Sequence, residues 1–342
     1  MKRILFVSML MLISSLCLSQ EKPNFAGFRA YTENDFLNPF SPNKDDNYTG
    51  GLRAELITNV LSPLWQKKFL NPLQWAPLNQ RVAFTVTAFT PRDLASEVIV
   101  DMERPYASYQ AFNLGASFAN ADSTKRLSYK LSLGVMGKDL AGDLQTTIHK
   151  DHWFGSTRPV PQGWKYQIAE GGAFAANLKL GYEQLLSRKS SPSNFKPFSV
   201  SWVHELNVGQ YMTNYMQGLR VYLFTKNAAP LLDEAVPELV SVFGEPEKKK
   251  HKPGITFFVT PRLRGVLHNT TLTGNLLSKE SAHTLSSSEM NRILAEYEAA
   301  LQLKYAFLRA GFTLYGRSKE YKASEKSFHH WGGPFLGFIA RF

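Results

Sequence analysis

Cysteine is nearly missing from this 342-residue chain: Cys17 is the only one. It lies in an apolar leading segment, so neither a disulfide framework nor a cysteine nucleophile is expected in the folded part. Long hydrophobic runs are missing as well. A helix that spans a bilayer needs ~20 mostly apolar residues, and nothing beyond the leader supplies them. An excess of negative charge is the third absence, since the formal net charge is +11. Such a balance implies an anionic partner or simple solvation, and the Lys248 to Lys250 run suits solvation.

The leader has a recognisable order. Lys2 and Arg3 precede an apolar run from Ile4 to Ile13, and small or polar residues follow from Ser14 to Gln20. That is the layout of a secretory signal peptide. Cleavage after Ser19 is expected, giving residues 1–19 as signal and 20–342 as one domain. Leu16 before Cys17 speaks against lipidation there. Without Lys2 and Arg3 the charge is about +9. For an exported chain, phosphorylated lipid headgroups are a better anionic partner than nucleic acid, which is not expected.

What the sequence does contain is a period of two, the mark of strands. Val82, Phe84, Val86 and Ala88 alternate with Arg81, Ala83, Thr85 and Thr87. Tyr129, Leu131, Leu133 and Val135 alternate with Ser128, Lys130, Ser132 and Gly134. Val200, Trp202, Leu206 and Val208 share one face, while Ser199, Ser201, Glu205 and Asn207 share the other. Twelve such runs are expected, near 24–34, 49–58, 81–91, 106–119, 125–137, 173–187, 195–209, 212–224, 255–268, 292–305, 307–318 and 329–342. Leu336, Phe338, Ala340 and Phe342 keep alternating to the last residue. One apolar and one polar face per strand suit lipid outside and a polar lumen inside. The expected fold is all-β: a transmembrane, up-and-down antiparallel barrel of about 12 strands. The alternative is a soluble sandwich.

Two segments are ambiguous. Ser286 and Glu289 have the spacing of a helix capping box, yet a strand near 292–305 is needed to keep the count even. Residues 225–254 form a long connection, with Leu231, Leu232, Val236, Leu239 and Val240 at near-helical spacing. Thr260, Arg262 and Arg264 alternate on one face and are expected to fill the lumen.

With the amino end in the periplasm, the outward connections are 35–48, 92–105, 138–172, 210–211, 269–291 and 319–328. The residues best suited to chemistry fall there. Asn34 and Asp35 end the first strand, and Thr49 opens the second with Gly50 and Gly51. Glu103, Arg104, Pro105 and Tyr106 lead into the fourth. Gln145 and His149 lie in the long third outer connection, ahead of Pro161-Gln162-Gly163-Trp164. Taken alone, Asn-Asp is more often a turn former, a strand Thr reflects β-propensity, and a lone loop His is surface decoration.

Together with Gly218-Leu219-Arg220, Leu272-Thr273-Gly274-Asn275 and Arg317-Ser318-Lys319-Glu320-Tyr321, these fragments resemble, in order along nearly the whole chain, the lipid A 3′-O-deacylases of the outer membrane. The resemblance implies a twelve-stranded barrel whose outward rim hydrolyses an acyl ester of lipid A with Ca²⁺. It implies His149, Asp35, Asn34 and Thr49 as catalytic residues, with Asp35 and Asn34 also as the metal ligands. The chemistry suits those roles. A histidine is the usual base near neutral pH, and Ca²⁺ takes oxygen ligands. Arg104 and Gln145 are expected to bind substrate, although Arg104 serves equally well as a tether from loop to barrel. His329 and His330 are weaker ligand candidates, and the face of His204 is undecided. The expected partners are lipid A or lipopolysaccharide and membrane lipid, with the chain a monomer. The competing reading is a non-catalytic barrel: a narrow pore or a lipopolysaccharide-binding structural protein.

Overall fold

A computed structural model describes residues 25–39, 47–59, 73, 75–122, 124–153, 158–188, 195–196, 198–226, 253–276 and 281–341. The expected signal segment, Lys44 to Asp46 and most of 225–254 lie outside them.

The described chain is almost all strand: β1 (Phe25–Asn34), β2 (Asn47–Thr58), β3 (Ala76–Thr90), β4 (Ala107–Ala119), β5 (Lys125–Met136), β6 (Ala173–Arg188), β7 (Phe195–Lys196), β8 (Ser199–Gly209), β9 (Met212–Lys226), β10 (Gly254–Asn269), β11 (Ile293–Tyr305), β12 (Leu308–Ser318) and β13 (Phe328–Arg341). Each long strand pairs antiparallel with the next. The ring closes where β1 meets β13, in register from Phe25 opposite Arg341 to Asn34 opposite Gly332. β7 is only two residues long and extends the edge of β9. Twelve long strands therefore form a closed barrel with no free edge, which is how a sheet satisfies its backbone in lipid.

Burial is inverted relative to a soluble protein. Phe112 is 64% exposed and Phe174 54%, whereas Glu55, Thr260 and Gln302 are at most 1% exposed. Val82, Leu133, Trp202 and Val208 point outward, and Arg81, Lys130, Ser132, Glu205 and Asn207 point inward, as the alternation requires. His204 also lies on the outward face, with Nδ1 2.7 Å from the Tyr215 hydroxyl.

Inside, arginines and glutamates pair along the lumen wall, between adjacent or next-but-one strands. Arg264 pairs with Glu296 at 3.0 Å and Glu205 at 3.1 Å. Arg262 pairs with Glu296 at 3.0 Å, and Arg220 with Glu183 at 3.1 Å. Arg220 also donates to Thr260 at 3.2 Å, so the expected lumen fillers do fill it. Guanidiniums buried this deeply persist because carboxylates and hydroxyls satisfy them.

The ambiguous segment is strand from Ile293 onward. The Ser286–Glu289 spacing does make its side-chain bonds, with Glu289 accepting from the Ser286 amide at 2.7 Å and hydroxyl at 2.6 Å, but in a turn. The strand wins because Ile293 to Tyr305 alternates, and two neighbours, β10 and β12, complete its ladder. Because every long strand runs antiparallel to the last, the strand ends that lead into connections 35–46, 91–106, 137–172, 210–211, 270–292 and 319–327 all lie at one mouth.

The candidate site on the outer wall at the barrel mouth

The third of these connections holds a helix that the period-two reading did not anticipate: α1 (Leu140–Lys150). Its buried residues Ala141, Gln145 and His149 recur every four positions and make one stripe. Ala141 packs on Val86 and Ala88, with Phe84 and Trp164 against the same cluster. Those β3 residues share the face of exposed Val82, and Val86 pairs with the exposed Leu52 of β2, so they lie on the lipid-facing side. The helix therefore lies against the outside of the barrel wall. Trp164 packs closely on the helix because Gly142 carries no side chain: a Cβ there would sit 2.9 Å from its ring.

The stripe fixes two functional groups. His149 is 4% exposed, and its Nδ1 lies 2.8 Å from the Pro159 carbonyl oxygen. A carbonyl can only accept, so Nδ1 carries the proton and Nε2 is the basic nitrogen. Gln145, one turn earlier, accepts from the Trp164 indole N–H at 3.0 Å. That bond occupies the Gln145 oxygen. Its buried amide nitrogen has no hydrogen-bond partner among the described residues. Trp164, in a short 3₁₀ turn (Trp164–Tyr166), is thus a positioning residue, a role the sequence did not assign within its Pro161-Gln162-Gly163-Trp164 fragment.

The first connection supplies the other expected residues. Asn34 caps a 3₁₀ turn (Asp35–Leu37), accepting from the Phe36 amide at 2.6 Å, and Asp35 is 4% exposed. Asn34 pairs with Gly50, and Gly50 with Ala88, in a row across the outer wall that ends beneath α1. A Cβ on Gly50 would stand 3.3 Å from the Asn34 amide nitrogen, so that side chain lies over the glycine. A register shift between Tyr48 and Gly50 releases Thr49 from the ladder, as a β-bulge does. Thr49 is 3% exposed, with its hydroxyl 2.6 Å from that of Thr90, which the sequence did not single out. The structure therefore brings Asn34, Asp35, Thr49, Gln145 and His149 to the same mouth. α1 stands over β3 and β4, and the Asp35 turn over β13 and β2.

Arg104 goes elsewhere. It is 1% exposed, ion-paired with Glu320, donates to the Thr271 hydroxyl at 2.5 Å, and stacks 4.4 Å from the Phe89 ring centroid. Its guanidinium lies between loops, in the geometry of the tether rather than of a phosphate anchor. Arg317 joins the lock, bonding Glu320 at 3.1 Å and Glu296 at 2.6 Å. Burial pushes the Glu320 carboxyl up, but Arg104 and Arg317 outweigh it and hold it below the usual range. His329 and His330 both have partners: His329 Nε2 is 3.2 Å from the Tyr48 carbonyl oxygen, and on the outward face His330 Nδ1 is 2.9 Å from the Tyr297 hydroxyl.

Ca²⁺ requires six to eight oxygens. No group of three or more acidic, histidine or cysteine side chains that could hold a metal ion occurs among the described residues. Asp35 supplies one carboxylate, and Asn34 keeps a second lone pair beyond the Phe36 bond. The donors fit a hard cation in kind, with carbonyls, water and substrate oxygens left to complete its shell.

Comparison with known proteins agrees with this fold. The family profile described as "Outer membrane protein LpxR" matches residues 5–338. Among solved structures, LpxR from Salmonella typhimurium superposes with a TM-score of 0.69 at 15% identity, covering 91% of this chain and 99% of that one. A bacterial polysaccharide outer membrane secretin covers 95% of this chain and 100% of its own at 10% identity, with a TM-score of 0.33. No curated protein matches.

Proposed function

Because this chain belongs to the LpxR family of outer membrane proteins, we propose that it is a lipid A deacylase that removes the 3′-O-acyl chain by hydrolysis at the outward rim. The observation that carries the reading is the buried stripe of α1, where Pro159 fixes the tautomer of His149 and Gln145 holds an amide nitrogen without a described partner. That is a general base beside a donor, held against the lipid-facing wall where an acyl ester would arrive.

In the proposed reaction, His149 Nε2 takes a proton from water. The water oxygen forms a bond to the ester carbonyl carbon, and the carbonyl oxygen becomes an oxyanion. The Gln145 amide donates to that oxygen, a type of contact worth roughly 3–4 kcal/mol of barrier. The carbon–oxygen bond to the sugar then breaks, and the departing oxygen takes the proton from His149. The products are a free fatty acid and a glycolipid hydroxyl. Asp35 and Asn34 would hold Ca²⁺, and the Thr49–Thr90 hydroxyl pair keeps the adjoining strand ends in place. When bound, the cation supplies charge to polarise the carbonyl.

The Arg220, Arg262 and Arg264 ion pairs lie along one side of the lumen wall and narrow the lumen, which disfavours a wide pore. The direct test is mass spectrometry of lipid A from cells expressing wild type or His149→Ala, with Ca²⁺ present. Loss of one acyl chain in the wild type alone is expected. Identical spectra would overturn the reading.

A further inference from the structure

The helix that carries His149 has a second stripe that the proposed chemistry leaves unused. Leu140, Leu144 and Ile148 recur every four residues, as Ala141, Gln145 and His149 do, but a quarter turn or more away from the wall. Leu140 is 40% exposed, and Leu144 and Ile148 are half-buried. The remaining flank is polar and open to solvent: Asp143, Thr147 and Lys150. The helix thus has three faces: one against the barrel, one apolar and one polar. A helix in water gains nothing from an exposed leucine–isoleucine flank, whereas one at a membrane surface does, at roughly 25 cal/mol per Å² covered.

The surroundings identify what covers the apolar flank. α1 seats on Val86 and Ala88, and Phe84 packs at the edge of that contact. Phe84 in turn meets Phe112, with ring centroids 5.1 Å apart. Phe112 belongs to the outward belt together with Leu114, 47% exposed, and Leu133, 44% exposed. The lipid-facing surface of the barrel therefore runs unbroken up to the helix. We infer that α1 is an interfacial helix: Leu140, Leu144 and Ile148 enter the acyl region of the leaflet on its side, while Asp143, Thr147 and Lys150 face the headgroup water. Its partner is the acyl chains of membrane lipid. This rests on the barrel spanning a membrane and is independent of whether any ester is cleaved.

The test uses nitroxide labels on single cysteines in the full chain, with Cys17, the only native cysteine, replaced. Leu144→Cys, Ile148→Cys, Asp143→Cys and Thr147→Cys are compared in phosphatidylethanolamine–phosphatidylglycerol vesicles. Phe112→Cys serves as the belt control. Collision rates with oxygen, which concentrates in lipid, and with a water-soluble nickel chelate are measured. The oxygen-to-nickel ratio at 144 and 148 is expected to approach that at 112 and to exceed that at 143 and 147 at least threefold. Equal ratios on both flanks would overturn the inference. Folding of each variant is checked by its heat-dependent shift on gels, and either Leu144→Cys or Ile148→Cys suffices if the other does not fold. Lipid A spectra of the same strains report separately on the deacylase reading.

Discussion

The Arg104 guanidinium and the Glu320 carboxylate meet in a buried ion pair at the barrel mouth although 216 residues separate them in sequence. With Thr271 and Arg317 they join three of the six connections at that mouth, beside the wall on which α1 rests. This lock holds the loops while His149 and Gln145 are held by their own local bonds.

Removing one partner should be costly. Arg104→Ala leaves Glu320 buried with one cation fewer, and breaking such pairs costs about 3–5 kcal/mol. The expected result is earlier protease cleavage in the mouth loops and a lower urea midpoint. Deacylation should fall only as far as the loops loosen. Unchanged protease resistance would refute the tether.

The same lock should respond to acid. Because the folded Glu320 carboxyl is held below its usual value, its contribution is fully present above the usual carboxylate range. It is lost as pH falls through the lowered value. Protease resistance of the mouth should therefore persist at pH 5 and fail well below ~4.3, the unperturbed glutamate value. In Glu320→Gln this acid step should shrink.

Trp164→Phe removes the indole N–H that holds the Gln145 oxygen. The lost bond is worth about 1 kcal/mol, so deacylation should fall severalfold with the barrel intact. Gln145→Leu removes the proposed oxyanion donor as well, and a fall of ~10²-fold is expected in lipid A turnover. Similar small losses in both variants would contradict a donor role for Gln145.

Gly50→Leu places a side chain where the Asn34 amide now lies, since even a Cβ would approach it to 3.3 Å. Loss of deacylation by tenfold or more is expected, with normal barrel assembly on gels. Full activity would show that the position of Asn34 is not needed.

Chelation tests the proposed cation. With no group of three or more metal-ligating side chains among the described residues, binding should be weak and reversible. EDTA should stop deacylation, and added Ca²⁺ should restore it. Asp35→Asn should raise the Ca²⁺ needed for half activity at least tenfold. Activity that survives exhaustive chelation would remove Ca²⁺ from the reaction.

Strand alternation was legible in the sequence by itself, because a barrel wall has only two environments and neighbouring residues fall on opposite sides of it. Val82 to Ala88 and Trp202 to Val208 declared their faces without any tertiary information. So did the gathering of Asn34, Asp35, Thr49, Gln145 and His149 at one mouth, which follows from counting antiparallel strands. Tertiary structure alone decided the rest. α1 lies outside the wall because Ala141 and Gly142 fit beneath Trp164 and over Val86 and Ala88, a match among residues distant in sequence. The tautomer of His149 depends on a carbonyl ten residues away. Arg104 reads in sequence as an anchor or a tether, and only ring closure, by bringing Glu320 and Thr271 beside it, selects the tether. Local pattern records which face a residue takes, whereas partners supplied by long-range pairing determine what it does there.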